Sequence, residues 1–291
     1  MGRKTVFGFT IICIGVLASF TAWNIFFAPE PADPVYNPWW ALVVAGSNEN
    51  RFTHDAFGIY NTLIDHYNFT AYQTYLLTHH PTTWEGVLPY REQWGGPPVP
   101  WVSVPRDAVT SFENIEWAIS QIADQAKPDD QVIIWWTGHG TNASGGLFDT
   151  GNPDAYVTPT ILDDALDTIK CRQMLIFLGP CFAGTFINAL KEPNRIIYTS
   201  SLENETSHAS VAAYSVWDRA TYYALDPDFS AFTADTDSNG KVSLWEVYDY
   251  ANTLILNKFD DQHPQRWIGL NFRINNRSDK DEYIAEGTFK T

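Results

Sequence analysis

Cysteine is scarce in this chain, with three in 291 residues. Cys13 lies in an apolar N-terminal run, which leaves Cys171 and Cys181 for the rest. Two cysteines cannot build a disulfide framework. A bridge between them would tie the start of a strand to its end, about 30 Å apart if extended, whereas bridged Cα atoms lie within about 7 Å. Positive charge is scarce too: 18 Lys and Arg stand against 34 Asp and Glu, a net charge of −16. With no basic stripe to neutralise phosphates, nucleic acid is excluded as a partner. Internal repeats and low-complexity tracts are absent, which excludes solenoid architectures.

Apolar and aromatic side chains are plentiful, at 45% and 15% of the chain. That is enough for a large core without disulfides or metals as staples. The hydrophobic pattern predicts strands over 41–45, 72–77, 131–136, 173–178 and 195–199, with helices around 53–67, 109–126, 160–169 and 183–190. This alternation predicts an α/β fold whose mostly parallel sheet is covered on both faces. The stretch 84–105 carries three tryptophans and five prolines and cannot be helix or central strand. It either caps the edge of the core or walls a substrate groove, the latter favoured because loops at strand ends carry function.

Two of the predicted strands end in glycine-framed turns. Thr137-Gly138-His139-Gly140 follows the first, and Gly179-Pro180-Cys181-Phe182-Ala183-Gly184 follows the second. A lone cysteine after an apolar strand is commonly a small buried hydrophobe, and a lone histidine commonly a satisfied polar residue. Their joint occurrence at the exits of two strands is a different matter, because open α/β sheets build their sites there. A thiol beside an imidazole is the minimal set for cysteine nucleophilic catalysis.

These turns resemble those of the caspase-like cysteine peptidases, and within them the legumain family, which includes the catalytic subunit of the GPI transamidase. Three further blocks carry the resemblance in the same order. Trp40–Asn48 is similar to the first strand and turn of legumains. Tyr198-Thr199-Ser200-Ser201, with Glu205–His208, is similar to the strand and loop after the nucleophile. Asp218–Leu225 is similar to the transamidase segment that begins Asp-Arg. The resemblance implies a caspase-like three-layer αβα sandwich. It also implies a cysteine endopeptidase acting on protein or peptide substrates, with no organic cofactor. Cys181 is then the nucleophile and His139 its acid/base partner. The amides of Gly140 and Cys181 form an oxyanion hole, and Asn48 orients the histidine. Arg51, Asp218, Ser200 and Ser201 match substrate-binding positions. The family's acidic residue two before the cysteine is replaced by Gly179, which leaves the residue cleaved after undetermined. A transamidase or peptide ligase would use the same dyad, and a non-catalytic calcium-binding surface module is the remaining class.

The N-terminus is read separately. Residues 5–28 are apolar and uncharged, preceded by Arg3 and Lys4 and followed by Pro29. The length suits a transmembrane helix, and the basic flank favours a cytoplasmic N-terminus. A cleaved signal peptide is the rival reading. The expected organisation is a stub at 1–4, an anchor at 5–28, a linker at 29–38, a catalytic domain at 39–275 and a tail at 276–291. The protein is expected at the cell membrane as a single-pass protein with its catalytic domain outside the cytoplasm, or else secreted.

Asp235–Glu246 satisfies the EF-hand loop pattern. Asp235, Asp237 and Asn239 offer side-chain oxygens and Lys241 its backbone carbonyl. Ser243 stands where a water-mediated ligand sits, and Glu246 can bind in bidentate fashion. Gly240 occupies the sharp-turn position, and helical spacing follows from Leu244. The expectation is a structural calcium ion; the alternative is an acidic turn without metal.

Overall fold

Largely apolar runs free of glycine and proline supply the strands of the main sheet, and amphipathic segments between them supply the covering helices. The computed structural model of the chain describes residues 37–79, 108–143, 146–150, 156–210, 214–226, 234–238, 240 and 242–270. In chain order come β1 (Trp39–Ala45), α1 (Asn50–His66), β2 (Thr74–Leu77), α2 (Phe112–Gln125) and β3 (Gln131–Thr137). A small antiparallel sheet follows, made of β4 (Gly140–Thr141), β5 (Leu147–Asp149) and β6 (Tyr156–Val157). Then come α3 (Pro159–Leu166), β7 (Gln173–Leu178), a 3-10 turn (Ala183–Phe186) running into α4 (Ile187–Leu190), and β8 (Arg195–Thr199). The last elements are the β9 (Ala209–Ser210) and β10 (Tyr214–Ser215) pair, α5 (Val216–Leu225), α6 (Leu244–Leu256) and β11 (Gln265–Ile268).

The main sheet has the order β2–β1–β3–β7–β8–β11. Every pairing is parallel except that of β11, which runs antiparallel to β8. The central strands are buried along their whole length, as a sheet covered on both faces requires. Alternate residues feed two cores. Trp39, Ala41, Val43, Trp135 and Phe177 pack with α1, α5 and α6. Trp40, Leu42, Val44, Trp136 and Leu178 pack with α2, α3 and α4. Buried Arg195 ties the second layer to β8, with one nitrogen 2.7 Å from Asp163 and another 2.7 Å from Asp167.

The predicted elements recur with shifted ends. The helix expected from 109 begins at Phe112 because Ser111 caps it, its hydroxyl accepting from the Asn114 amide. The helix expected over 183–190 opens instead as the 3-10 turn, since Phe182 before it is left-handed at φ 60°. Strand β11 and the two small sheets were not foreseen: strands of two or three residues give too few alternations to register, and β11 opens with the consecutive polar residues Gln265 and Arg266. The stretch 84–105, the anchor 5–28 and the tail 276–291 lie outside the described residues. Among those described, no helix is long and apolar enough to cross a membrane.

Candidate active site

Chain order brings the chemistry to one edge of the sheet. After β1 the chain moves outward to β2, then returns to place β3 on the other side of β1. In open α/β sheets such a reversal leaves a crevice at the carboxyl ends of the strands, the usual binding position. The turn after β1 carries Asn48 and Glu49 and leads into Arg51 at the start of α1; the turn after β3 carries His139; the turn after β7 carries Cys181.

The two glycine-framed turns abut. A Cβ built on Gly140 would lie 2.1 Å from the Cys181 carbonyl oxygen and 3.0 Å from the Pro180 side chain. The Gly179 amide donates to the Trp136 carbonyl at 2.8 Å, fastening the second turn to β3. Glycine at 140 is therefore a packing requirement. Gly140→Ala is expected to push the turns apart and lower peptide cleavage on the order of a hundredfold, the scale of a 1 Å misplacement. Steady-state kinetics on a variant with an unchanged circular dichroism spectrum checks this.

Cys181 is half-buried, with its Sγ 3.2 Å from the Ser207 amide, which donates to it, and 3.7 Å from the Ser207 carbonyl. Phe182 follows in the left-handed region, uncommon for a bulky residue, and its amide donates to the Glu205 carbonyl at 2.8 Å. Ser200 and Ser201 are fully buried beneath this turn. The Ser200 hydroxyl donates to the Pro180 carbonyl at 2.9 Å, and the Ser201 carbonyl accepts from the Gly184 amide at 3.1 Å.

His139 is partly exposed. Its Nε2 lies 2.5 Å from a Glu49 carboxylate oxygen, and the Phe52 ring packs edge-on against it at 5.0 Å. The other Glu49 oxygen holds Arg51 at 2.8 Å, and the Arg51 guanidinium lies over the Phe52 ring. Asn48, expected to orient the histidine, stands exposed in the same turn. Glu49 escaped the sequence reading. An acidic residue in a turn has no pattern of its own, and only the meeting of residues 90 positions apart reveals it.

Asp218 is completely buried in α5, accepting from the Trp135 indole at 3.1 Å. A Cβ on Gly179 would fall 2.1 Å from one of its carboxylate oxygens. The missing acidic side chain two before the cysteine is thus accounted for, because the Asp218 carboxyl fills that volume. Asp55 of α1, also buried, accepts from the Ser215 amide at 2.8 Å. Burial pushes the Asp218 carboxyl up to about 7, against hydrogen bonds from Thr137, Trp135 and Ser215 that pull it down. Burial and the neighbouring Asp218 hold Asp55 well above the usual carboxylate range.

The peptidase C13 family model matches residues 115–272. That span exceeds half the chain and contains His139, Cys181 and Asp218. The chain belongs to the peptidase C13 family. The legumain resemblance of the sequence is thereby upheld, and with it a cysteine-type peptidase class at family level. The turn after β1 lies outside the matched span. The fold of this C13 chain is similar to a crystal structure of a protein from Geobacter sulfurreducens, with a TM-score of 0.50 and 11% identity. That likeness covers 79% of this chain and 93% of the other, and concerns fold alone. No curated protein matches the sequence.

Away from the crevice, the Asp235 and Asp237 carboxylates and Glu246 offer oxygens within 4.8 Å of one another. The Gly240 amide donates to Asp235 at 2.9 Å, and Gly240 has φ +80°, the sharp turn that the loop pattern requires. Ser243 and Glu246 form a reciprocal capping box at the start of α6. Burial raises the Glu246 carboxyl, but hydrogen bonds from Ser243 and Thr236 outweigh it and hold the group below its ordinary value. Asn239 and Lys241 lie outside the described residues. Cys171 and Cys181 are both free, as expected. Burial pushes the Cys171 thiol up to about 11, which suits a structural residue and not a nucleophile.

Proposed function

We propose that this C13 chain is a cysteine endopeptidase in which Cys181 attacks a peptide carbonyl and His139 protonates the departing amine. The contact of the two turns at Gly140 carries this reading. The thiolate adds to the carbonyl carbon, and the oxyanion faces the amides of Gly140 and Cys181. Such a donor is worth about 2.7–4 kcal/mol in comparable sites. As the C–N bond breaks, the amine takes a proton from His139 and the acyl group remains on sulfur as a thioester. Water then releases the acid and its proton returns to the imidazole. An amine in place of water would give transamidation through the same intermediate.

Cleavage of a peptide library, with Cys181→Ala as control, tests the reading. A labelled amine nucleophile in a parallel reaction separates transfer from hydrolysis. No cleavage or transfer by the folded wild-type protein would overturn it. We also propose that residues 5–28 tether the protein with its domain outside the cytoplasmic membrane; protection of the domain from protease added to intact cells would contradict this.

The carboxylates of Asp235, Asp237 and Glu246 suit a hard divalent cation, and we propose a structural calcium ion held there. A ligand bound only by the folded state adds roughly 2.7 kcal/mol at a hundredfold excess over Kd. Calcium is therefore expected to raise the melting temperature and EGTA to lower it. Glu246→Gln should abolish the difference by removing the bidentate carboxylate. Identical melting in calcium and EGTA would leave the segment an acidic turn.

A further inference from the structure

We propose that Glu49 is the positioning residue of the catalytic unit, acting through His139 and not on substrate. The inference rests on the cysteine-peptidase reading above and extends it to a residue outside the family-matched span.

Three groups approach the His139 imidazole from the start of α1. The Glu49 carboxylate lies 2.5 Å from Nε2, an Arg51 nitrogen lies 3.4 Å from the same atom, and Phe52 packs edge-on. The two charged groups make opposite demands on Nε2. A guanidinium can only donate, so it requires a bare nitrogen there; a carboxylate can only accept, so it requires N–H. The much shorter distance belongs to the carboxylate. Arg51 in turn donates to the second Glu49 oxygen at 2.8 Å. Glu49 thus fixes a proton on Nε2 and leaves Nδ1 as the nitrogen that exchanges protons with the reacting groups.

The local backbone supports the assignment. Glu49 is the N-cap residue of α1, with φ −76° and ψ 139°, yet its side chain makes no capping hydrogen bond. Its reach goes to the imidazole instead. The chemistry also asks for a carboxylate here, because His139 must carry a second proton before the leaving amine departs. The Glu49 carboxylate beside Nε2–H offsets the positive charge of that imidazolium. When Nδ1–H gives its proton to the amine nitrogen, the C–N bond breaks, and Nε2 keeps its own proton, still donated to the Glu49 carboxylate.

Glu49→Gln keeps the length of the side chain and removes its charge at a half-exposed position, so the fold should be retained; Glu49→Asp tests rescue. Among the described residues, the charged groups in contact with the imidazole are Glu49, the N-cap of α1, and Arg51 in its first turn. The expected result for Glu49→Gln is a ten- to hundredfold loss of kcat, on the order of a general acid–base contribution, with KM within about twofold. The basic limb of the kcat/KM profile should move to lower pH, and Glu49→Asp should recover part of both. Iodoacetamide alkylation of Cys181 against pH gives a readout independent of substrate, and its profile should shift in Glu49→Gln. Unchanged kcat and unchanged profiles in Glu49→Gln, or a loss confined to KM, would overturn the proposal. Absence of Cys181-dependent cleavage in the wild type would instead sink the peptidase reading, with the alkylation profiles still testing the Glu49–His139 pair.

Discussion

Peptide cleavage is expected to fall by at least about a thousandfold when Cys181 is replaced by alanine, the scale of losing a catalytic nucleophile. The variant should fold normally, because the half-buried thiol makes only weak contacts, to the Ser207 backbone. His139→Ala should lose comparable activity, and the double variant little more, since residues acting as one unit are not additive. Cys171→Ala should cleave at the wild-type rate. Its thiol sits just before β7, at the opposite end of that strand from Cys181, and burial keeps it protonated. Single-turnover assays with matched melting curves distinguish these outcomes. Normal turnover by folded Cys181→Ala would remove the nucleophile from the mechanism.

Stability should decline as pH rises from about 4 to about 8, and Asp218 should be a main cause. Its carboxyl is raised to about 7 in the folded chain from an ordinary value of 3.8. A group raised on folding contributes fully below its unfolded value, and that contribution is lost as pH climbs through the folded value. Between those limits the folded state binds the extra proton, so deprotonation favours unfolding. A shift of this size corresponds to about 4 kcal/mol across the window. Asp55 works in the same direction, raised by burial and by the adjacent Asp218. Asp218→Asn should flatten the curve by removing the titrating group. Urea unfolding midpoints at pH 4.5, 6 and 8 for both proteins supply the comparison. Parallel curves for the two would show that Asp218 ionises freely in the fold.

The layered α/β architecture was legible because its signals are local. Gln173–Leu178 and Arg195–Thr199 emerge as strands at the predicted bounds, since an uninterrupted apolar run suits a strand buried on both faces. The His139 and Cys181 turns were legible for the same reason: each is a strand exit marked by glycine. Two-residue strands such as β4 and β9 carry too little pattern to read, and β11 begins with two polar residues in a row. Asp218 was singled out through its Asp-Arg segment, but its complete burial against Gly179 was not.

By itself, then, the sequence determined which segments become strands and helices, that a thiol and an imidazole stand at strand exits, and which family the chain resembles. Periodicity, glycine placement and motif order act over a few residues and survive in any reading of the chain. Tertiary structure alone decided the partners. Strand order places β1 beside β3, which lets Glu49 meet His139 and lets α5 press Asp218 beneath the nucleophile turn. Those contacts join residues far apart in the chain, and their energies come from burial and charge at sites that exist only once the sheet has closed around them.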